Sequence, residues 1–313
     1  MLSDPSTFQP ALPDSPASPE LTAEHDAAAQ HQANRHGVAW MVLAMACFIV
    51  NDALVKWVSQ SLPAAQLIFV RGVAATLLVL AVMRASAVPL RPPAGAGPWL
   101  PVRAGVDALA TFAYLVSLFH LPLANATAIN MASPLFITLF AVAWLGERVS
   151  AGRWLAIGAG FAGVLMVIQP QASGFNAYAW LCLLATGLHA LRDLATPRIP
   201  RVVPSLQITL ATALAVTLMA GLGSLVQGWQ PMDGRQLGLL ASAAVFLAAG
   251  YQGVILATRR ASLSVVAPFR YSALLMAVVL GWVGWGEVPN ALALAGIAAV
   301  VAAGVVLLRR PSR

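Results

Sequence analysis

The sequence predicts an all-α integral membrane protein in which ten transmembrane helices form two inverted five-helix repeats. Three observations lead to this prediction: an apolar composition, ten apolar runs, and motifs that recur half a chain apart. Of the 313 residues, 59% are hydrophobic and only 9% are charged, with a mean hydropathy of +0.79. Because a soluble domain carries about 25% charged residues, lipid rather than water must cover this surface.

Ten apolar runs are long enough to form transmembrane helices, because a bilayer core takes about 20 residues of helix. Proline, glycine or arginine interrupts the chain between them. The predicted spans are 38–58, 64–83, 100–120, 122–145, 152–169, 177–196, 204–227, 236–258, 262–285 and 289–308. Residues 1–36 hold five prolines among acidic residues and alanines, without apolar periodicity, which predicts a disordered cytoplasmic tail.

The basic residues test this count, because lysine and arginine concentrate in cytoplasmic loops. With the N-terminus in the cytoplasm, fourteen arginines fall on the cytoplasmic side and only Arg235 falls outside. One helix more or fewer would move every later loop to the other face. We therefore predict a multi-pass protein of the cell inner (plasma) membrane with both termini in the cytoplasm. The fourteen are Arg35, Arg84, Arg91, Arg103, Arg148, Arg153, Arg192, Arg198, Arg201, Arg259, Arg260, Arg309, Arg310 and Arg313.

Motifs recur at an offset of 140 to 141 residues, which is nearly half the chain. The matched residues are Asp52 and Asp193, Pro63 and Pro204, Gln66 and Gln207, and Glu147 and Glu287. Five spans per copy is an odd number, so the second copy must enter the membrane inverted relative to the first. Such folds place the substrate site near the middle of the membrane and open it alternately to either side.

Each copy carries Gly-Glu after its fourth span and Ala-Gly-Val in its fifth, at 146–147 and 162–164 and again at 286–287 and 303–305. This pattern resembles the EamA domain, and two tandem copies resemble the drug/metabolite transporter superfamily, with repeat 1 at 37–169 and repeat 2 at 177–308. The second copy departs from the pattern, with Val288 after its glutamate in place of Arg148. The resemblance implies a secondary-active transporter that exports or exchanges small polar or amphipathic metabolites, with a coupling proton or by exchange, and without a cofactor.

Polar residues inside the spans are the candidates for function, because a charge at the bilayer centre costs at least about 2.5–3.5 kcal/mol. Arg270 lies within span nine, where a guanidinium would bind a substrate carboxylate or phosphate in a bidentate manner. Its alternative role is an ion pair or a clamp on backbone carbonyls. Tyr271 either joins this site or packs as an ordinary aromatic residue.

Four further residues are predicted to line the substrate site, since the resemblance places the central cavity among spans three, four, eight and nine. They are Tyr114, Asn130, Gln252 and Trp282. Each has an alternative role in hydrogen bonding or packing between helices.

A second group, in the outer halves of spans one and two, is predicted to couple or gate transport. Its members are Asn51, Asp52, Lys56 and Arg71. Asp52 and Lys56 are four residues apart on a helix, so the simplest interpretation pairs them on one face. The functional interpretation makes Asp52 a proton or cation site that Lys56 gates, with Arg71 competing for the carboxylate.

Charges near the span ends are predicted to have structural roles. Arg103 and Asp107 are four residues apart and form a predicted pair near the cytoplasmic entry of span three. Arg192 and Asp193 lie at a predicted solvated helix end. The glutamate of each Gly-Glu pair is expected to cap the helix that follows it, where the helix dipole favours a carboxylate, with gating as its alternative role.

Other functional classes fit the sequence less well. The arginines are scattered and form no nucleic-acid face, and no metal-ligand or catalytic spacing is visible, so we predict no nucleic-acid partner, no metal and no enzyme. The segment 158–163 matches a dinucleotide-binding pattern but lies inside a span, where small residues allow close helix packing. A non-transporting membrane sensor or partner protein is the alternative function, and a homodimer through spans five and ten is also open.

Overall fold

The computed structural model describes residues 19–93, 95–146, 150–169 and 176–309. Every regular element in these ranges is helical, which confirms the all-α prediction. Two short 3-10 helices span Thr196–Arg198 and Ala267–Tyr271. The α-helices are α1 Pro19–Val58, α2 Ala64–Ala85, α3 Trp99–His120, α4 Leu123–Asn130, α5 Ser133–Leu145, α6 Ala151–Ile168, α7 Ala177–Ala195, α8 Ser205–Gln227, α9 Gly234–Arg260, α10 Leu263–Val266, α11 Ser272–Trp285 and α12 Ala291–Arg309.

Eight helical segments of the described chain are long and apolar enough to cross a membrane. They are Gln30–Val58, Ala64–Ala85, Trp99–His120, Leu123–Trp144, Ala151–Ile168, Ser205–Gln227, Gly234–Thr258 and Ala267–Trp285. The α12 segment Ala291–Leu307 is apolar but shorter, and α7 carries His189, Arg192 and Asp193 among its apolar residues. The chain is therefore a multi-pass helical membrane protein.

The first helix begins earlier than the sequence predicts. α1 starts at Pro19, so residues 19–36 are helical where a disordered tail is predicted, and residues 1–18 lie outside the described ranges. Proline suits the first turn of a helix, where its missing N–H would have no partner in any case. The alanines at 27–29 have high helix propensity.

Two predicted spans are broken inside the bundle. Span four divides into α4 and α5, and span nine divides into α10, a 3-10 turn and α11. Pro134 and Pro268 lie at these breaks, where proline lacks the N–H of a helical hydrogen bond and clashes with the preceding turn. Both broken spans end on a glycine in the left-handed region, with φ of 66° at Gly146 and 67° at Gly286.

The bundle has two ends, which we name after one residue at each. The Val58 end, the predicted outer face, holds the C-termini of α1, α3 and α11 and the start of α2. The Trp99 end, the predicted cytoplasmic face, holds the starts of α3 and α8 and the C-terminus of α7. Between these ends, α1 packs most extensively on α9, α3 on α7, α2 on α8 and α6 on α12.

Helices α6 and α12 pack through glycines. A Cβ on Gly163 would lie 2.8 Å from the carbonyl oxygen of Gly296, and a Cβ on Gly296 would lie 2.5 Å from that of Gly163. The two backbones are thus in direct contact, which confirms the predicted packing role of the small residues in span five. These faces of α6 and α12 pack against each other within the chain, and a homodimer through the two spans stays a prediction.

We expect Gly163→Leu to destabilise the protein by about 1–3 kcal/mol, because the added side chain must force the two backbones apart. The matched control is Gly158→Leu on the same helix, where a Cβ would meet nothing within 4 Å. Thermal unfolding of both purified variants in detergent compares them. Equal loss of thermal stability in the two variants would contradict the glycine contact.

Candidate functional site

Four buried polar residues from three helices form a hydrogen-bonded group that we call the central cluster: Asn51, Asp52, Arg71 and Tyr114. The Tyr114 hydroxyl donates to Oδ2 of Asp52 at 2.8 Å, and Nδ2 of Asn51 donates to Oδ1 of Asp52 at 2.8 Å. Nη1 of Arg71 donates to Oδ1 of Asn51 at 3.1 Å. Asp52 lies six residues before the end of α1, so the cluster lies about 9 Å inside the Val58 end.

Asn130 and His189 adjoin the central cluster. Oδ1 of Asn130, at the end of α4, lies 3.0 Å from Nδ1 of His189 on α7. The His189 ring in turn contacts Tyr114, with 6.1 Å between the ring centroids. The break after α4 therefore carries a polar side chain to the middle of the bundle, where it hydrogen-bonds with His189.

Towards the Trp99 end lies a second group, the ionic cluster, which consists of Arg103, Asp107, Arg192 and Asp193. Oδ1 of Asp107 lies 2.9 Å from Nη1 of Arg192, and its Oδ2 lies 3.3 Å from Nη1 of Arg103. Nη2 of Arg192 lies 2.9 Å from Oδ1 of Asp193. The predicted pair within α3 is confirmed, whereas the prediction that Arg192 is merely solvated is wrong, because it binds the buried Asp107 across the α3–α7 interface.

At the Val58 end, Lys56 forms an ion pair that the sequence does not predict, here called the Lys56 bridge. Its Nζ lies 2.6 Å from Oε1 of Glu287 and also donates to the carbonyl oxygen of Leu121. Oε2 of Glu287 accepts from the backbone N–H of Leu123 at 2.8 Å. The Lys56 ammonium further lies 5.2 Å from the centroid of the Trp285 ring. The bridge ties α1 to α4 and α11.

Two predicted interactions are wrong as a result. Lys56 does not pair with Asp52, because its ammonium reaches the Val58 end and binds Glu287 there, while Tyr114 and Asn51 donate to Asp52. Glu287 caps α4 rather than the helix that follows it, since the free N–H groups and positive dipole at the start of α4 attract its carboxylate. Glu147, its predicted counterpart, lies outside the described residues.

Tyr251 on α9 lies between the central and ionic clusters, and sequence analysis missed it. Its side chain is 50% exposed, and it lies within electrostatic range of Arg71, Asp107 and Arg192. Its ring meets Phe48 edge to face, with centroids 5.2 Å apart. A tyrosine within an apolar run carries no charge or spacing signal, so only the packing of α9 reveals it.

The other predicted site residues lie away from the central cluster. Arg270 is exposed on the 3-10 turn, and within the described ranges it forms no ion pair. Tyr271 is buried, and its hydroxyl points at Gly304 of α12 and has no hydrogen-bond partner among the residues that the structure describes. Gln252 and Trp282 are exposed on α9 and α11. No hydrogen bond of the described residues joins these four side chains to the central cluster, and their role in binding stays a prediction.

An apolar helical bundle that encloses charged, hydrogen-bonded side chains is typical of a membrane transport protein. The comparisons with known proteins agree. Residues 35–169 match the model of the EamA-like transporter family. The pseudopaline exporter of Pseudomonas aeruginosa (strain UCBPP-PA14) is 33% identical over 285 residues, which cover 88% of this chain and 96% of the exporter.

Further relatives are named as transporters of other organic molecules. The riboflavin transporter of Rhizobium johnstonii is 30% identical over 88% of this chain and 92% of its own length. The S-adenosylmethionine uptake transporter of Rickettsia prowazekii is 23% identical over 87% of this chain and 92% of its own length. A solved crystal structure superposes with a TM-score of 0.59 over 89% of this chain and 97% of the other, at 19% identity, which shows a shared fold.

This chain belongs to the EamA-like transporter family. It is a small-molecule transporter of the membrane and not an enzyme, as predicted.

Proposed function

We propose that this chain is a secondary-active carrier that exports or exchanges small polar or amphipathic metabolites across the cell inner membrane by alternating access. The central cluster carries this proposal, because buried charge with hydrogen-bonding capacity lies there between two closures. The Lys56 bridge closes the Val58 end, and the ionic cluster closes the Trp99 end. Opening one closure at a time would expose the central cluster to one side of the membrane.

Ten spans in two inverted halves, 37–169 and 177–308, best account for the packing. Gln66 and Gln207 are repeat mates, and each holds a loop of the other half, at opposite ends of the bundle. Gln66 exchanges hydrogen bonds of 2.7 and 2.9 Å with the backbone of Gln230. Gln207 donates to the carbonyl oxygens of Pro89 and Arg91 at 2.8 and 3.0 Å. Each half also contains one broken span that ends on a glycine in the left-handed region.

The names of the relatives support a direction of transport and a kind of solute. An exporter of 33% identity supports export or exchange as the direction for this chain. Relatives named for riboflavin and S-adenosylmethionine support a polar or amphipathic organic solute. Both termini lie in the cytoplasm in this proposal, as the arginine distribution predicts.

Counterflow into proteoliposomes tests the carrier proposal. Vesicles with purified protein are loaded with unlabelled solute and diluted into trace label, using riboflavin, S-adenosylmethionine, and pools of amino acids and nucleosides. A carrier accumulates label transiently with at least one of these solutes, because it exchanges external for internal solute without an energy source. If no solute exchanges above protein-free vesicles, the protein is a sensor or partner and not a carrier.

Asp52→Asn is expected to separate exchange from proton-driven transport. The amide keeps an acceptor for Tyr114 but cannot take up and release a proton, so accumulation driven by a pH gradient falls by at least about 10-fold, while counterflow of a solute without an ammonium group, such as riboflavin, persists. Asp233→Asn, at the exposed start of α9, is the control and should keep both activities. Gradient-driven accumulation that survives in Asp52→Asn would remove this carboxylate from coupling.

A further inference from the structure

We infer that Arg71 and Asp52, held apart by Asn51, bind the carboxylate and the ammonium group of a zwitterionic substrate. The inference rests on the proposed transport function and specifies the chemistry of its central cluster. Arg71 is only 6% exposed and Asp52 is 9% exposed. Both charges are thus withdrawn from water, and each needs compensation from some group.

Arg71 lacks the compensation that comparable cations receive. Lys56, which is 5% exposed, contacts the carboxylate of Glu287, and Arg103 and Arg192 contact that of Asp107. Among the described residues, the Arg71 guanidinium makes a single hydrogen bond, to the neutral amide of Asn51, and its buried Nε–H has no partner. A guanidinium offers five donors in a fork that matches a carboxylate. The open edge of Arg71 is therefore an anion site.

Asp52 is equally open to a cation. Its two oxygens accept from the neutral groups of Tyr114 and Asn51, whereas a carboxylate has about four acceptor positions. Asp52 lies in electrostatic range of Arg71, but in the part of the chain that the structure describes the two form no ion pair. Each charged group therefore keeps hydrogen-bonding positions free for a ligand, because the two groups do not contact each other.

Asn51 sets the separation of the two charges. Its Oδ1 faces Arg71 and its Nδ2 faces Asp52, so one amide group lies between the anion site and the cation site. An α-amino acid group, with carboxylate and ammonium on one carbon, spans such a gap. The half-exposed ring of Tyr251, near Arg71 and against Phe48, gives an aromatic wall for the rest of the molecule. A neutral flavin lacks both charges and would leave the pair unfilled.

Equilibrium binding to the purified full chain in detergent tests the inference. The probes are S-adenosylmethionine and the twenty α-amino acids, each compared with its carboxamide and its N-acetyl derivative by thermal shift and calorimetry. We expect at least one parent compound to bind at least about 10-fold more tightly than both of its derivatives, because each derivative loses one charged contact. If no parent binds, or if the derivatives bind equally well, the inference is wrong.

Variants of Arg71 identify the residue. Arg71→Gln should weaken binding of the parent compound by about 10- to 100-fold, while binding of the carboxamide changes little. Arg71→Lys keeps the positive charge and should lose less, which preserves the test if the glutamine variant does not fold. Arg84→Gln, exposed on the same helix, is the control. Riboflavin counterflow with no zwitterion binding would overturn this inference and leave the carrier intact, whereas zwitterion binding without counterflow would do the reverse.

Discussion

Asp107→Asn should lower the free energy of unfolding by about 3–5 kcal/mol, the typical cost of removing one partner from a buried ion pair. The carboxylate is nearly inaccessible and contacts two arginines, at 2.9 Å to Arg192 and 3.3 Å to Arg103. Its loss would leave two guanidinium groups close together inside the bundle without an anion between them. We expect poor membrane insertion and a large fall in thermal stability.

The matched control is Asp193→Asn, which removes the other carboxylate on Arg192. That side chain is 40% exposed, so water compensates for its loss and the cost should stay below about 1 kcal/mol. Thermal unfolding and yield of monodisperse protein in detergent compare the two variants. An equal fall in thermal stability in both variants would show that the buried contact of Arg192 with α3 contributes no more to stability than its exposed contact.

Glu287→Gln should open the Val58 end. The amide still accepts from the N–H of Leu123 but loses the charge that holds Lys56, an interaction worth about 1.5–3 kcal/mol. The population in which α1 separates from α4 and α11 should rise by about 10- to 100-fold. Transport should fall, because a carrier that cannot close one end cannot alternate.

Cysteine accessibility measures this opening. Thr127, which is 2% exposed on α4, is replaced by cysteine in a background without Cys47 and Cys182, and detergent-solubilised protein is labelled with a maleimide. Labelling should quicken in Glu287→Gln by the same factor as the opening. Gln169→Asn, in an exposed amide pair with Asn290 at the same end, should leave the rate unchanged. Identical rates in both variants would show that the bridge does not gate this end.

The extent of the helices could be predicted from sequence because bilayer thickness sets the length of an apolar run. The predicted spans 64–83 and 100–120 compare with helices Ala64–Ala85 and Trp99–His120. The breaks in spans four and nine were missed, although Pro134 and Pro268 mark them. Hydropathy does not register a break, since a proline inside an apolar run leaves the mean almost unchanged.

Partner choice inside the bundle could not be predicted. The spacing of four residues along one helix favours Asp52 as the partner of Lys56. The Lys56 ammonium instead binds the carboxylate of Glu287, 231 residues away, because the end of α11 lies beside it in the folded chain. Asp52 and Tyr114 were both chosen as functional, yet nothing in the sequence places them 2.8 Å apart. Residue type and span identify polar groups, whereas the relative rotation of helices decides which of them meet.

The glycine contact between α6 and α12 has a mechanical consequence. Where two backbones touch with no side chain between them, neither helix can rotate or slide without lifting off the other. These two helices would therefore move as one rigid unit during the transport cycle. The displacement must be taken up elsewhere in the bundle, for example between α3 and α7, which meet through the side chains of Asp107 and Arg192.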